Sequence, residues 1–265
     1  MNSEPDLPRS VVLALWLRGA GGTTDMPDAA DAAACVEGDD EPHRVHGLPG
    51  VGDGTDLGTL VTTWTAGPRT VAALLPSPGD PAGVPAAAGH AATEAGECVV
   101  VTTPAGSFAA VPAITPFGSH LEPGHLVEWQ VHPVPDWSTG LLGAIGTLSD
   151  AERELRSSLI TATEALDALD VARWRDDARE AIERLRSADT ARWPVPELDG
   201  RRARVLQLAT RLRAIVALGS FDADGRRDDG GAVNLWQADQ RSTALREVDR
   251  TARHAISAAT FGEAG

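Results

Sequence analysis

Lysine and tyrosine are missing altogether from this chain of 265 residues, and all 23 of its basic residues are arginine. Their absence excludes Schiff-base lysines, the phosphate-binding lysine of Walker-type loops and tyrosine general acids. Cysteine is nearly as scarce. Cys35 and Cys98 stand alone, too few for a disulfide framework, and read as reduced, partly buried thiols. No Gly-x-Ser-x-Gly elbow, zincin motif or Cys-x-x-Cys occurs, so the common sequence-visible signatures of hydrolases and redox enzymes are absent as well. The apolar run Val11–Leu17 in RSVVLALWLRGAGG is far too short to span a bilayer, and Arg18 follows where a signal peptide would carry small residues. A buried first helix in a cytoplasmic protein is the expectation.

What is present is a globular composition, 42% hydrophobic, with the Ala, Arg, Asp and Gly excess of a GC-rich genome. Charge is uneven. Up to Ile145 there are 17 acids against 4 arginines, a balance of −13; from Gly146 onward there are 21 acids against 19 arginines, a balance of −2. An acidic first half repels phosphate, which argues against nucleic-acid and anionic-membrane partners. The arginines of the second half are read as solvated helix faces of mixed charge rather than as a docking surface for the first half.

Two composition regimes meet between Trp137 and Thr147. In the first, MPDAADAAACVEG reads as a short helix after Pro27 ended by Gly38. TDLGTLVTTWTAG is a helix stopped at Gly67 or a strand, and periodicity leaves both open over residues 56–66. TVAALLP and CVVVTT read as buried strands with the helix PAAAGHAATEAG between them, which predicts a βαβ unit with a right-handed crossover. TPAG turns the chain into SFAAVPAI, antiparallel to the strand before it, and HLVEWQVHPV is the last strand.

The second regime reads as four amphipathic helices. SDAERELRSSLITATEALDALD opens on a capping box of Ser149 and Glu152 and aligns Leu155, Leu159 and Leu166. VARWRDDAREAIERLRS, RRARVLQLATRLRAIVALG and NLWQADQRSTALREVDRTARHAISAA follow, and short connections predict an antiparallel bundle. The expected fold is α+β: a small mixed sheet with a βαβ unit and flanking helices over residues 1–140, then a four-helix bundle over residues 146–265. The two halves are open to packing as one cooperative unit.

LLPSPGDPAGVP, AGECVVVTTPAGSFAAVP, ALDVARWRDDAREAIERLR and GGAVNLWQADQRSTALREVDRTAR together resemble a set of uncharacterised proteins of high-GC Gram-positive bacteria. The resemblance covers most of the chain from about residue 70. It implies one architecture spanning both halves and no particular activity.

Three of the seven histidines, His120, His125 and His132, fall within GSHLEPGHLVEWQVHPVP. Strand alternation puts His125, Val127, Trp129 and Val131 on one face and Leu126, Glu128, Gln130 and His132 on the other. His125 and His132 therefore cannot share a metal. Glu128 and His132 share a face but lie roughly 13 Å apart. What remains is His120 with Glu122 or His125, completed only by groups from elsewhere such as His43 and His46. The expectation is that no acid from another part of the fold meets His120 or His125, and that there is no metal site.

GLPGVGDGTDLG lacks the last glycine of a dinucleotide fingerprint and sets Asp53 and Asp56 where phosphate would lie, so it reads as a loop. SFDADGRRDDGG aligns partly with an EF-hand loop but has no glutamate at the twelfth position, and reads as an acidic linker. LLPSPGDPAGVP leaves the C-terminal end of a strand, the edge where open α/β sheets place ligands, and offers Ser77 and Asp80.

The expected function is a non-enzymatic binding protein without catalytic residues or cofactor, its partner another protein or a second copy. The alternative is a small-molecule-binding protein or enzyme that uses Ser77 and Asp80 as ligand contacts, with His120 or His125 as an acid–base group.

Overall fold

The computed structural model describes residues 7–19, 28–119, 122–167, 195–220 and 235–264. These residues fall into two compact units. A sheet-containing unit is drawn from Leu7–Gly146, Pro194–Leu198 and Thr260–Gly265, and a helical unit from Thr147–Trp193 and Asp199–Ala259.

The sheet unit joins β1 (Arg44–His46), β2 (Thr55–Asp56), β3 (Arg69–Leu74), β4 (Cys98–Thr103), β5 (Gly106–Gly118), β6 (Pro123–Val134) and β7 (Gly262–Ala264). Their order is β2-β1-β6-β5-β4-β3-β7, a seven-stranded mixed sheet in which β1 and β6 run parallel and the other neighbours antiparallel. The apolar runs of β3 and β4 are buried on both faces. Val71, Val101 and Phe108 are register partners on one side, and Ala72, Val100 and Ala109 on the other. β7 pairs only with residues 69–71 of β3, and the backbone N–H of Ala73 beyond it donates to Thr260 Oγ1 at 2.9 Å.

The helices of this unit are α1 (Arg9–Gly19), α2 (Ala29–Glu37), α3 (Leu57–Thr65), α4 (Gly89–Ala95) and α5 (Ser138–Ile145). α1 is apolar nearly all round, and such a helix is stable only when enclosed; Val11, Leu13 and Leu17 have no exposed surface. Both its ends are satisfied by buried charges from elsewhere in the unit. Glu97 Oε2 accepts from the backbone N–H and the hydroxyl of Ser10, each at 2.7 Å, and Arg69 Nε donates to Leu17 O at 2.5 Å. A carboxylate at the first turn and a guanidinium at the last both suit the helix dipole. The stretch left open between helix and strand is the helix α3, with Asp56 capping it through Thr59 N and Trp64 stacked on Phe108.

The βαβ unit is not formed. β3 and β4 are antiparallel, with Leu74 opposite Cys98, so the chain leaves and returns at the same end of the sheet. The cause lies in the connection. A crossover must carry the chain back along a six-residue strand, roughly 20 Å, whereas α4 has seven residues and spans roughly 10 Å. Successive turns at Ser77–Asp80, Pro81–Val84 and Pro85–Ala88 contract the remainder.

In the helical unit, α6 (Leu148–Asp167), α7 (Gly200–Ser220) and α8 (Leu235–Thr260) are described. Glu152 near the start of α6 accepts from Arg201 Nε near the start of α7 at 2.8 Å, so the starts of these two helices are neighbours. Arg202 Nη1 donates to Ala259 O at 3.0 Å and Arg213 pairs with Asp249 at 3.3 Å, so α7 and α8 are antiparallel. Leu155, Val205, Leu212, Leu245 and Val248 are buried, whereas Leu159, which the spacing aligns with Leu155, is exposed. The capping box is Thr147 with Asp150, each side chain accepting from the other's backbone N–H, two residues ahead of the expected Ser149 and Glu152. The expected helix at 171–187 and the EF-hand-like loop at 221–231 lie outside the described residues.

Candidate functional site

Alternation along β6 holds. Val127, Trp129 and Val131 are buried, while Leu126, Glu128 and Gln130 on the opposite face are exposed. The parallel partner β1 pairs Arg44, Val45 and His46 with Glu128, Trp129 and Gln130. Continued three residues upstream, the same offset puts Glu41 opposite His125, and the Glu41 backbone N–H donates to His125 O at 3.2 Å. α2 ends just before this segment at Gly38, whose φ of +57° is costly for any residue with a Cβ. The turn delivers Asp40 to the side of β6 that carries His125 and Trp129.

Asp40 is the centre of the resulting cluster. Its Oδ1 lies 3.0 Å from His125 Nδ1. Its Oδ2 accepts from Arg9 Nε at 2.6 Å and lies 3.4 Å from His43 Nε2. Burial alone would raise the Asp40 carboxyl, but the hydrogen bond and charge of Arg9, joined by His43 and His125, outweigh it and hold the group below the usual carboxylate range. His43 is fully buried, and its Nδ1 accepts from the Trp129 indole N–H at 3.1 Å. That bond fixes the tautomer: the proton of the neutral ring sits on Nε2, facing Asp40. Burial pushes the His43 imidazole below the ordinary histidine value, against the pull of Asp40. His125, with a 40% exposed side chain, donates through Nδ1 to Asp40, and its Nε2 has no hydrogen-bond partner among the described residues.

The expectation that His125 meets no distant acid is thus corrected: Asp40, 85 residues away in sequence, is its partner. A carboxylate-oriented imidazole with a free nitrogen is an acid–base group in form. It has no serine, threonine or cysteine as a hydrogen-bond partner among the described residues. Among the described residues no group of three His, Cys, Asp or Glu side chains is arranged to hold a metal ion.

The other sequence candidates are dispersed. His120 lies outside the described residues. Ser77 and Asp80 exchange backbone hydrogen bonds of 2.9 Å across Pro78 and Gly79 (φ +87°), a type II turn, and Asp80 Oδ1 accepts from Ala82 N at 3.2 Å. The loop leaves β3, which is separated from β6 by two strands, roughly 14 Å across the sheet. His46 and His132 are on the face opposite His125, and the Nε2 atoms of both are buried without a hydrogen-bond partner; His46 Nε2 lies 3.4 Å from Glu128 without bonding to it. Asp53 accepts from Gly47 N and Asp56 caps α3, so both acids of the glycine-rich loop serve local structure. Both cysteines are free; burial and then the charge of Glu97 push the Cys98 thiol far up, which leaves it inert. A groove of about 570 Å³ between α2 and α3 is floored by Ala30, Ala33 and Ala34. Two of its wall hydroxyls, Thr62 and Thr63, donate back to their own helix.

Two family models match the chain, one described as Rv1486c-like protein, N-terminal domain, over residues 10–140, and one as Rv1486c-like protein, C-terminal domain, over residues 149–257. The chain belongs to the Rv1486c-like family. No curated protein and no solved structure matches it. The N-terminal match contains every residue of the Asp40 cluster except Arg9, which immediately precedes it.

Proposed function

We propose that this Rv1486c-like chain is a non-enzymatic cytoplasmic binding protein whose acidic half, residues 1–140, receives a basic protein partner. The observation that carries the reading is the charge balance of −13 up to Ile145, where only four arginines occur. Arg69 is buried against backbone carbonyls and Arg9 is engaged by Asp40, so few cations are left to offset the surface acids. Self-association through like-charged faces is disfavoured for the same reason. The helical half, residues 146–265, is read as a four-helix bundle. Residues 171–187 carry the amphipathic sequence pattern of the fourth helix.

The second reading, a small-molecule-binding protein or enzyme, is favoured by one observation, the His125–Asp40 pair with its free Nε2. The closed turn at Ser77–Asp80 argues against that loop as its ligand contact. A thermal-shift screen against metabolites, nucleotides and metal ions separates the two. The binding-protein reading expects no shift. A reproducible shift lost on His125→Ala or Asp80→Ala overturns it in favour of the second.

A further inference from the structure

We propose that the outer face of the β5–β6 arm is the docking surface for an arginine- or lysine-bearing, apolar-flanked segment of a partner protein; the inference rests on the binding reading above and locates it. β4 pairs with β5 only as far as Ala110, whereas β5 and β6 stay paired out to Gly118 and Pro123. From Ala113 outward every residue of β5 is exposed, so the β5–β6 hairpin extends as an arm past the end of β4, with β1 alongside only β6. Register assigns its faces. Ala113, Thr115 and Phe117 oppose Glu128, Leu126 and Gly124, and all six share the outer face. Phe117 is 44% and Leu126 49% exposed, and they stand diagonally adjacent. Phe117 lies over Gly124, where a Cβ would stand 2.5 Å from its ring.

Charge selects the occupant. β5 carries no ionisable residue, and Glu122 and Glu128 border the apolar pair. Arg44, opposite Glu128 in register, donates to Gly54 O at 3.4 Å. The free edge of β5 points the same way. Pro112 and Pro116 have no N–H to give, which accommodates them only on the unpaired side of the strand, so that edge is rich in carbonyl acceptors and poor in donors. Sheet addition by a second copy is therefore blunted, while a donor-rich cationic segment is matched. The β6 strand of the arm is held part-way along, at His125, by the His125–Asp40 contact and by Glu41 N–H to His125 O, so the surface is presented on a fixed support.

The test uses the full chain and a fluorescent synthetic peptide of alternating arginine and leucine, with its glutamate–leucine counterpart as control, read by anisotropy at physiological salt. The arginine peptide is expected to bind and the glutamate peptide not. Phe117→Ser with Leu126→Ser should weaken binding by about tenfold or more. Thr115→Arg, which removes no packing, should weaken it likewise if the double variant folds poorly. Glu122→Gln with Glu128→Gln should weaken binding and flatten its salt dependence. Unchanged binding to all arm variants overturns the location but leaves the acidic-receptor reading standing. No binding of the arginine peptide overturns both. A dimer by light scattering that Thr115→Arg dissolves would make a second copy the occupant and overturn the basic one.

Discussion

Asp40 takes two hydrogen bonds from cationic or imidazole groups on one oxygen and one on the other, and each partner comes from a different part of the sheet unit. Asp40→Asn keeps the shape and removes the charge that Arg9 and His125 face. It is expected to cost about 2 kcal/mol, read as a lower urea midpoint. His43 gives the pH dependence. Its folded pKa is depressed, so below the ordinary histidine value of about 6.5 the unfolded chain binds a proton that the folded chain refuses. Stability contributed by neutral His43 is present above that pH and is lost as pH falls toward the folded value; Asp40, also depressed, adds a loss at more acid pH. Urea midpoints should decline from pH 7.5 to pH 5, and His43→Gln should flatten that decline. Asp40 was not legible in the sequence as a site residue because its partner is set by a parallel register between β1 and β6, and alternation within one strand does not report register between two. The same alternation did separate His125 from His132.

The elements whose signals are local were read nearly to the residue. Gly38 and Gly96 end α2 and α4, CVVVTT is β4, and TPAG turns it into β5. Direction was not legible. A wholly apolar strand looks the same in parallel and antiparallel sheets, and the βαβ expectation failed at the turns that shorten the connection. Two overlapping box-like sequences, Thr147–Asp150 and Ser149–Glu152, compete at the start of α6. The later glutamate is drawn off to Arg156 and Arg201. The capping of α1 by Glu97 was equally hidden, because 87 residues separate the two. Glu97→Ala leaves the Ser10 N–H and hydroxyl buried without a partner and is expected to cost about 2 kcal/mol. A thermal melt checks it, and an unchanged midpoint would show that the cap contributes nothing.

At the scale of the whole molecule, acids dominate one half, and the apolar side chains left uncovered on its sheet gather on one arm. Ile114, Phe117 and Leu126 all belong to that hairpin. Charge balance was plain in the sequence. The arm was not, because β5 and β6 read as ordinary strands until the short reach of β4 leaves the outer half of β5 without a strand on its far edge. No helix among the described residues is long and apolar enough to cross a membrane, which fits the short run of α1. The central claim is that this arm receives a basic partner. Hydrogen–deuterium exchange of the full chain with and without the arginine–leucine peptide tests it most directly. Slowed exchange confined to residues 113–118 and 123–128 is the result expected. Slowing at residues 75–84 or in the helical unit, with the arm unchanged, would contradict it.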